Sequence, residues 1–271
     1  MNNKAIGVFD SGMGGLTAVA KMTRIMPNES ICYFGDTSRV PYGTRSQATI
    51  IKYTRQDINL LLSLDVKAIL VACGTSSAVA LEHVRSQVPV PIIGVLESAV
   101  CAALKSTKNH RVGIIGTNAT IKSGAYEKLL LAQNPEVQIK SVSCPLFVPL
   151  VENGRVGKDD PVVAQIVAEY LAPIKESGAD TLILGCTHYP LLSAAIGAFM
   201  GEGVSLIDPG HMACLTMKEL LEAQGLQAGP EQVGALEFMS SDCADSFAQL
   251  ASLYMGGQTV ENVRQIDVES Y

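Results

Sequence analysis

The sequence predicts an α/β protein of two pseudosymmetric lobes, each with a mainly parallel sheet flanked by helices, and a site in the cleft between them. Three observations point there. Short aliphatic runs alternate with helical patterns from end to end, the order that builds parallel sheets through crossover helices. The runs are continuous rather than alternating, as strands buried on both faces are. The pattern also restarts near the middle of the chain, where a second series of strand, turn and helix follows the first.

Residues 5–9 (AIGVF) read as a buried first strand, followed by a turn over 10–15 and an amphipathic helix over 16–26. A second strand over 30–34 precedes a long helix over 47–64, whose Ile50, Ile51, Tyr53, Ile58, Leu61 and Leu62 share one face. Residues 68–72 (AILVA) form a third strand. A helix over 76–86 and the breaker VPVP lead to a strand over 92–95. The restart brings a helix from Glu97, a strand over 111–115, a turn over 116–119 and a further helix. Then come a long helix over 160–177, a strand over 181–184 and a helix from Leu191. An apolar run over 235–239 is assigned back to the first lobe. The expected division is therefore residues 1–96 plus 208–271 for one lobe and 97–207 for the other.

The restart has the form of an internal repeat. VACGTSSA places Cys73 and Thr75 just past one aliphatic run, and LILGCTHYPLL places Cys186 and Thr187 just past another. Upstream of each lies a strand ending in a small-residue turn, VFDSGMGG and GIIGTNAT.

Composition excludes several classes. Of 271 residues, 48% are apolar and 17% charged, which is incompatible with disorder, and the length suits one large or two modest domains at about 150 residues each. A net charge of −6 without long runs argues against a non-specific nucleic-acid binder, which needs a clustered basic surface. No stretch of about twenty apolar residues could span a bilayer, and MNNKAIGVFD lacks the apolar core of a secretory signal. The mean hydropathy of +0.25 reflects a large aliphatic core, since aromatics are 5% and Trp is absent. Seven cysteines with no CxxC and no zinc spacing predict a cytoplasmic protein with reduced thiols and no bound metal.

Ligands of open parallel sheets bind beyond the carboxyl ends of the strands. Four segments rich in Gly, Ser, Thr, Asp and Cys fall there: 10–15, 35–43, 72–76 and 185–189. The Gly12–Gly15 turn lacks the GxGxxG spacing of a dinucleotide site, and no GK[ST] marks a P-loop. Cys73 and Cys186 stand out because they occupy equivalent points of the repeat. Each is expected to precede a helix whose N-terminal dipole favours a thiolate. A lone cysteine after a strand is more often packing than chemistry; the pairing is what raises these two. Asp10 leaves the first strand near where Cys73 should lie, although it could simply cap a helix. His188 follows Cys186 by two positions, while His83, His110 and His211 read as surface or structural residues.

The segments DSGMGGLT, YFGDTSRVPYG, ACGTSSA, CPLFVPLVENG and LGCTHYPLL resemble, in order and spacing, those of glutamate racemases, over nearly the whole chain to about Met212. The resemblance implies a cofactor-independent two-lobe enzyme that dimerises and acts on glutamate as its small-molecule substrate, with no nucleic-acid or membrane partner. It implies Cys73 and Cys186 as the two acid/base residues, with helper roles for Asp10, His188 and Glu152. Substrate contacts are implied at Asp10, Ser11, Tyr42, Gly43, Thr75, Thr187 and His188, with Gly74 beside them. In these terms Cys73 deprotonates the D-isomer and Cys186 the L-isomer, and D-glutamate serves peptidoglycan synthesis. The few residues before the first strand suggest no activation by a cell-wall precursor.

One position departs from the family pattern: Gly74 stands where Asn usually follows the first cysteine. A backbone N–H or a water could replace the lost amide. Otherwise the substrate has shifted, for instance to aspartate, or the chain is a non-catalytic binder of a small acid. A thiol hydrolase using one cysteine with His188 as base is a further alternative, but it leaves the second cysteine unexplained. With thiols near a pKa of about 8.5, one S⁻ and one S–H are both accessible near neutrality, and a bell-shaped pH profile is expected.

Overall fold

The computed structural model describes residues 1–271, apart from the side chain of Ser246. The first sheet is built by β1 (Ile6–Asp10), α1 (Leu16–Ile25), β2 (Ile31–Gly35), α2 (Gln47–Ser63), β3 (Ala68–Val71), α3 (Gly74–Val79), α4 (Leu81–Val84) and β4 (Ile92–Gly94). The series repeats through α5 (Leu96–Ser106), β5 (Arg111–Gly116), α6 (Asn118–Ser123), α7 (Ala125–Gln133), β6 (Gln138–Ser143), α8 (Phe147–Glu152), α9 (Pro161–Glu176), β7 (Thr181–Gly185), α10 (Ser193–Met200) and β8 (Ser205–Ile207). The chain ends with α11 (Pro209–Ala223), β9 (Leu236–Ser240), α12 (Ala244–Tyr254) and β10 (Arg264–Gln265).

The strand orders make the pseudosymmetry explicit. One sheet runs β10-β9-β2-β1-β3-β4 and the other β6-β5-β7-β8. In each, the first strand lies between the second and third, and the fourth lies beyond the third, so β1 corresponds to β5 and β3 to β7. The ladders between these strands are all parallel. β9 adds to β2 with Ile31 opposite Leu236, returning the C-terminal run to the first sheet.

Strand periodicity explains the continuous aliphatic runs. Ile6, Val8, Tyr33 and Leu70 point into the main core, while Phe9, Phe34, Ile69 and Val71 pack on the opposite face beneath Ile58 and Leu61 of α2. Both faces of this sheet are dry, so alternation in hydropathy disappears. The main core extends unbroken into the second lobe, through Val112, Ile114, Leu182 and Leu184. Two helices join the lobes. α5 follows β4 yet packs on α7, β7 and β8, whereas α11 follows β8 yet packs on α1 and β4, and α5 and α11 lie against each other. Asp208 caps α11 by accepting from His211 N at 3.0 Å and pairs with Lys21 of α1.

Several elements differ from the sequence reading. β6 and β8 escaped notice because β6 is a half-exposed edge strand (QIKSVS) and β8 is three residues long. The helix expected over 76–86 begins at Gly74, because the Cys73 sulfur caps it by accepting from Ser76 N at 3.4 Å. It then breaks at Ala80, which separates α3 from α4. Glu152 is the last residue of α8, a helix the sequence reading did not place. Among the described residues, no helix is long and apolar enough to cross a membrane.

Candidate active site

The carboxyl ends of β1, β3, β5 and β7 converge on a cavity of about 320 Å³ between the lobes. Cys73 lines it from the first lobe and Cys186 from the second. The two cysteines thus line one space from pseudo-equivalent strand ends, β3 and β7.

Cys73 is 3% exposed, and its Sγ lies 3.4 Å from Ser11 Oγ, the acceptor of its S–H. Burial is the main influence on this thiol and the nearby Asp10 carboxylate the second. Together they outweigh the contacts from Ser11 and Ser76 and push it up to about 11. Desolvation therefore defeats the helix dipole, and the near-neutral titration expected from sequence does not hold at Cys73. Cys186 lacks the dipole altogether. A 3-10 turn over Tyr189–Leu192 intervenes before α10, which starts at Ser193.

What Cys186 has instead is His188. The ring Nδ1 lies 3.8 Å from Cys186 Sγ and 3.4 Å from Thr187 Oγ1. On the other side, Nε2 is 3.3 Å from Glu152 Oε1, an ion-pair distance without the alignment of a hydrogen bond. Tyr254 closes the ring in with an edge-on contact, 5.6 Å between centroids. Burial alone would lower this imidazole. Cys186, Glu152 and Asp10 reverse the sign and raise it to about 10. His188 is accordingly an imidazolium at neutral pH, and its positive ring supplies the counter-charge that a thiolate at Cys186 requires.

Asp10 sits behind the cavity rather than in its wall. Its Oδ2 accepts from Gly12 N at 3.2 Å and its Oδ1 from Thr187 Oγ1 at 3.5 Å, which ties the turn after β1 to the loop after β7. Burial raises its carboxyl, against the pull of His188 and three backbone amides. Gly14 belongs to the same seam: a β-carbon there would overlap Thr187 Oγ1 and stand 2.6 Å from His188 Nδ1. Glycine at position 14 is thus required by the close approach of the opposite lobe.

Ser11, Tyr42, Gly43, Gly74, Thr75 and Thr187 all line the cavity. Tyr42 does so without its hydroxyl, which is bonded to Asp36 and, at 2.9 Å, to Asp57. Its hydroxyl is therefore held by the two acids. Thr117 is the residue the sequence reading missed. Its hydroxyl is 3.0 Å from Thr75 Oγ1 and 3.0 Å from Thr120 Oγ1, a bridge between lobes at the cavity edge. The repeat contained the signal, because Thr117 follows β5 as Ser11 follows β1.

Comparison with known proteins decides the family. The sequence profile described as Asp/Glu/hydantoin racemase matches residues 11–217. The chain belongs to that family. It is thereby an amino-acid racemase, an isomerase. It is 41% identical to a glutamate racemase of Geobacter metallireducens over 268 residues, 98% of each chain, and 42% identical to one of Bacillus cereus over 268 residues and the same shares. Its fold is similar to the crystal structure of a glutamate racemase isoform of Bacillus anthracis, with TM-score 0.93, 35% identity and 98% of both chains covered. It is also similar to a Francisella tularensis glutamate racemase solved with D-glutamate, with TM-score 0.92, 36% identity and 100% of both chains covered. This racemase therefore shares the two-lobe fold of enzymes that hold an amino acid.

Proposed function

We propose that this racemase interconverts L- and D-glutamate by a two-base reaction between Cys73 and Cys186, without a cofactor. The observation that carries the reading is the placement of these thiols at pseudo-equivalent strand ends on one cavity, one per lobe. Full-length similarity to glutamate racemases supports the substrate.

For L-glutamate, the Cys186 thiolate beside the His188 imidazolium takes the Cα proton, and the Cys73 thiol delivers its own proton to the opposite face. The protein ends with Cys186 protonated and Cys73 ionised, and the reverse reaction exchanges the roles. The raised thiol of Cys73 suits it to act as the donor in the L-to-D direction. In the D-to-L direction it must first ionise, and the incoming substrate ammonium lowers that cost. The planar carbanionic intermediate needs preorganised donors in a dry site. Backbone around Gly43, Gly74 and Thr187 and the hydroxyls of Ser11 and Thr75, all at the cavity wall, are the candidates to supply them. Asp10, Glu152 and His188 set the charge around the two sulfurs rather than bonding carbon.

The lobes are taken as residues 1–96 plus 208–271 and 97–207, crossing at α5 and α11. Supply of D-glutamate for peptidoglycan, a cytoplasmic location and a homodimer complete the reading. Incubation with L-glutamate in D₂O tests it, with L-aspartate run alongside. Deuterated D-glutamate is expected, and its absence at any enzyme concentration sinks the proposal.

A further inference from the structure

The segment GDTSRVPYG contributes Tyr42 and Gly43 to the cavity wall, but its Asp36 and Arg39 take no part in the chemistry above. Both are buried, and with Asp57 of α2 they form a closed charge network. Arg39 donates from Nε to Asp36 Oδ2 at 2.6 Å, from Nη2 to Asp57 Oδ1 at 3.0 Å and from Nη1 to Gln56 Oε1 at 2.6 Å. Ser241 donates to Asp36 Oδ1 at 2.8 Å. Tyr42 Oη meets both acids, Asp36 Oδ2 in the closer contact and Asp57 Oδ2 at 2.9 Å.

The protons do not balance if both acids are ionised. A phenol carries one proton and can give it to only one of the two acids, and Asp36, already the acceptor for Arg39 Nε and Ser241 Oγ, is the better recipient. Asp57 Oδ2 then faces a phenol oxygen with lone pairs only, an arrangement that repels unless the carboxyl brings its own proton. Charge leads to the same result. Two fully buried carboxylates against one guanidinium leave a negative surplus in a dry interior, which proteins relieve by protonation.

We propose that Asp57 is a positioning residue, kept as a neutral carboxylic acid at neutral pH, which donates its proton to Tyr42 Oη and fastens the 39–43 segment against the cavity. Burial and then Asp36 drive the Asp57 carboxyl well above the usual range, while Arg39 and Tyr42 oppose the shift and Asp10, at the end of β1, adds to it. The C-terminal 3-10 turn packed on α2 presents the carbonyl of Glu269 to Gln56 at 3.5 Å. The link to substrate rests on the glutamate reading above, whereas the protonation stands apart from it.

Three variants test this. Asn is the isostere of a protonated Asp and can donate to Tyr42, so Asp57→Asn should keep KM for glutamate within about twofold and keep the wild-type melting temperature. Asp57→Ala and Asp36→Asn should each raise KM about tenfold with much smaller changes in kcat, as a displaced binding wall does. An infrared difference spectrum at neutral pH, wild type minus Asp57→Asn, should contain the C=O stretch of a protonated carboxylic acid. Asp57→Asn as damaging as Asp57→Ala, or a difference spectrum with only carboxylate bands, overturns the proposal. An enzyme inactive on glutamate would defeat the substrate reading, while the infrared difference would still decide the protonation.

Discussion

Gly74 lies directly against the carbonyl oxygen of Gly185, so closely that a β-carbon on it would stand 2.5 Å from that oxygen. The two residues flank the two cysteines and belong to opposite lobes. Glycine at this position therefore sets how near the ends of β3 and β7 can come, in addition to lacking the amide usual in the family.

Gly74→Ala adds one methyl group and no hydrogen-bonding atom. It should push the strand ends apart and destabilise the fold by about 1–3 kcal/mol, the usual range for overpacking. Thermal unfolding would register it, with a drop in kcat/KM. Gly74→Asn adds the same wedge plus an amide. If Gly74→Asn outperforms the wild type, the lost hydrogen bond matters more than the close approach. If it falls with Gly74→Ala, the approach matters more.

Cys73→Ala and Cys186→Ala should each lower racemisation by about 10²–10⁴-fold, the range for a positioned acid or base. Polarimetry on glutamate measures the loss. Two active variants would exclude the two-thiol scheme.

The thiol of Cys73, raised to about 11, should react slowly with iodoacetamide at pH 7 and faster up to about pH 11 in the substrate-free enzyme. Mass spectrometry of alkylated peptides across that range reads the profile. Rapid, pH-independent labelling of Cys73 near neutrality would contradict the assignment.

His188, raised to about 10 from an ordinary value near 6.5, favours folding in its charged form. Its stabilisation is complete below pH 6.5 and is lost as the pH rises to about 10. Denaturant titrations should show that decline, and His188→Asn should flatten it. Glu152→Gln removes one of the influences that raise the ring, so the decline should still begin near pH 6.5 but end at lower pH, with a smaller total loss.

Thr117→Val deletes the hydroxyl that meets Thr75 across the cleft. A lost hydrogen bond of about 0.5–1.5 kcal/mol should lower the melting temperature by roughly 1–6 °C. An unchanged melting temperature and KM would show that the threonine bridge is dispensable.

The parts of this protein that were legible in its sequence were those tied to repetition. Cys73 and Cys186 could be paired because each follows an aliphatic run, and the same comparison, carried one strand further, reaches Thr117. β6 was illegible because an edge strand with Lys140 and three polar neighbours has no buried face to write a period. The direction of the Tyr42 phenol, away from the cavity and toward Asp36 and Asp57, depends on contacts with α2 that local sequence does not encode. Titration was the least accessible property. At Cys73 burial opposes the helix terminus and wins, and at His188 charged neighbours oppose burial and win.

The exchange of α5 and α11 bears on how the chain can be divided. Each half surrenders the helix after its fourth strand to the other half, so a polypeptide cut between residues 94 and 96 would leave an N-terminal sheet stripped of α11 and β9, and a C-terminal fragment whose α11 and β9 have lost α1 and β2. Such fragments should be insoluble when produced singly and should complement one another when co-expressed.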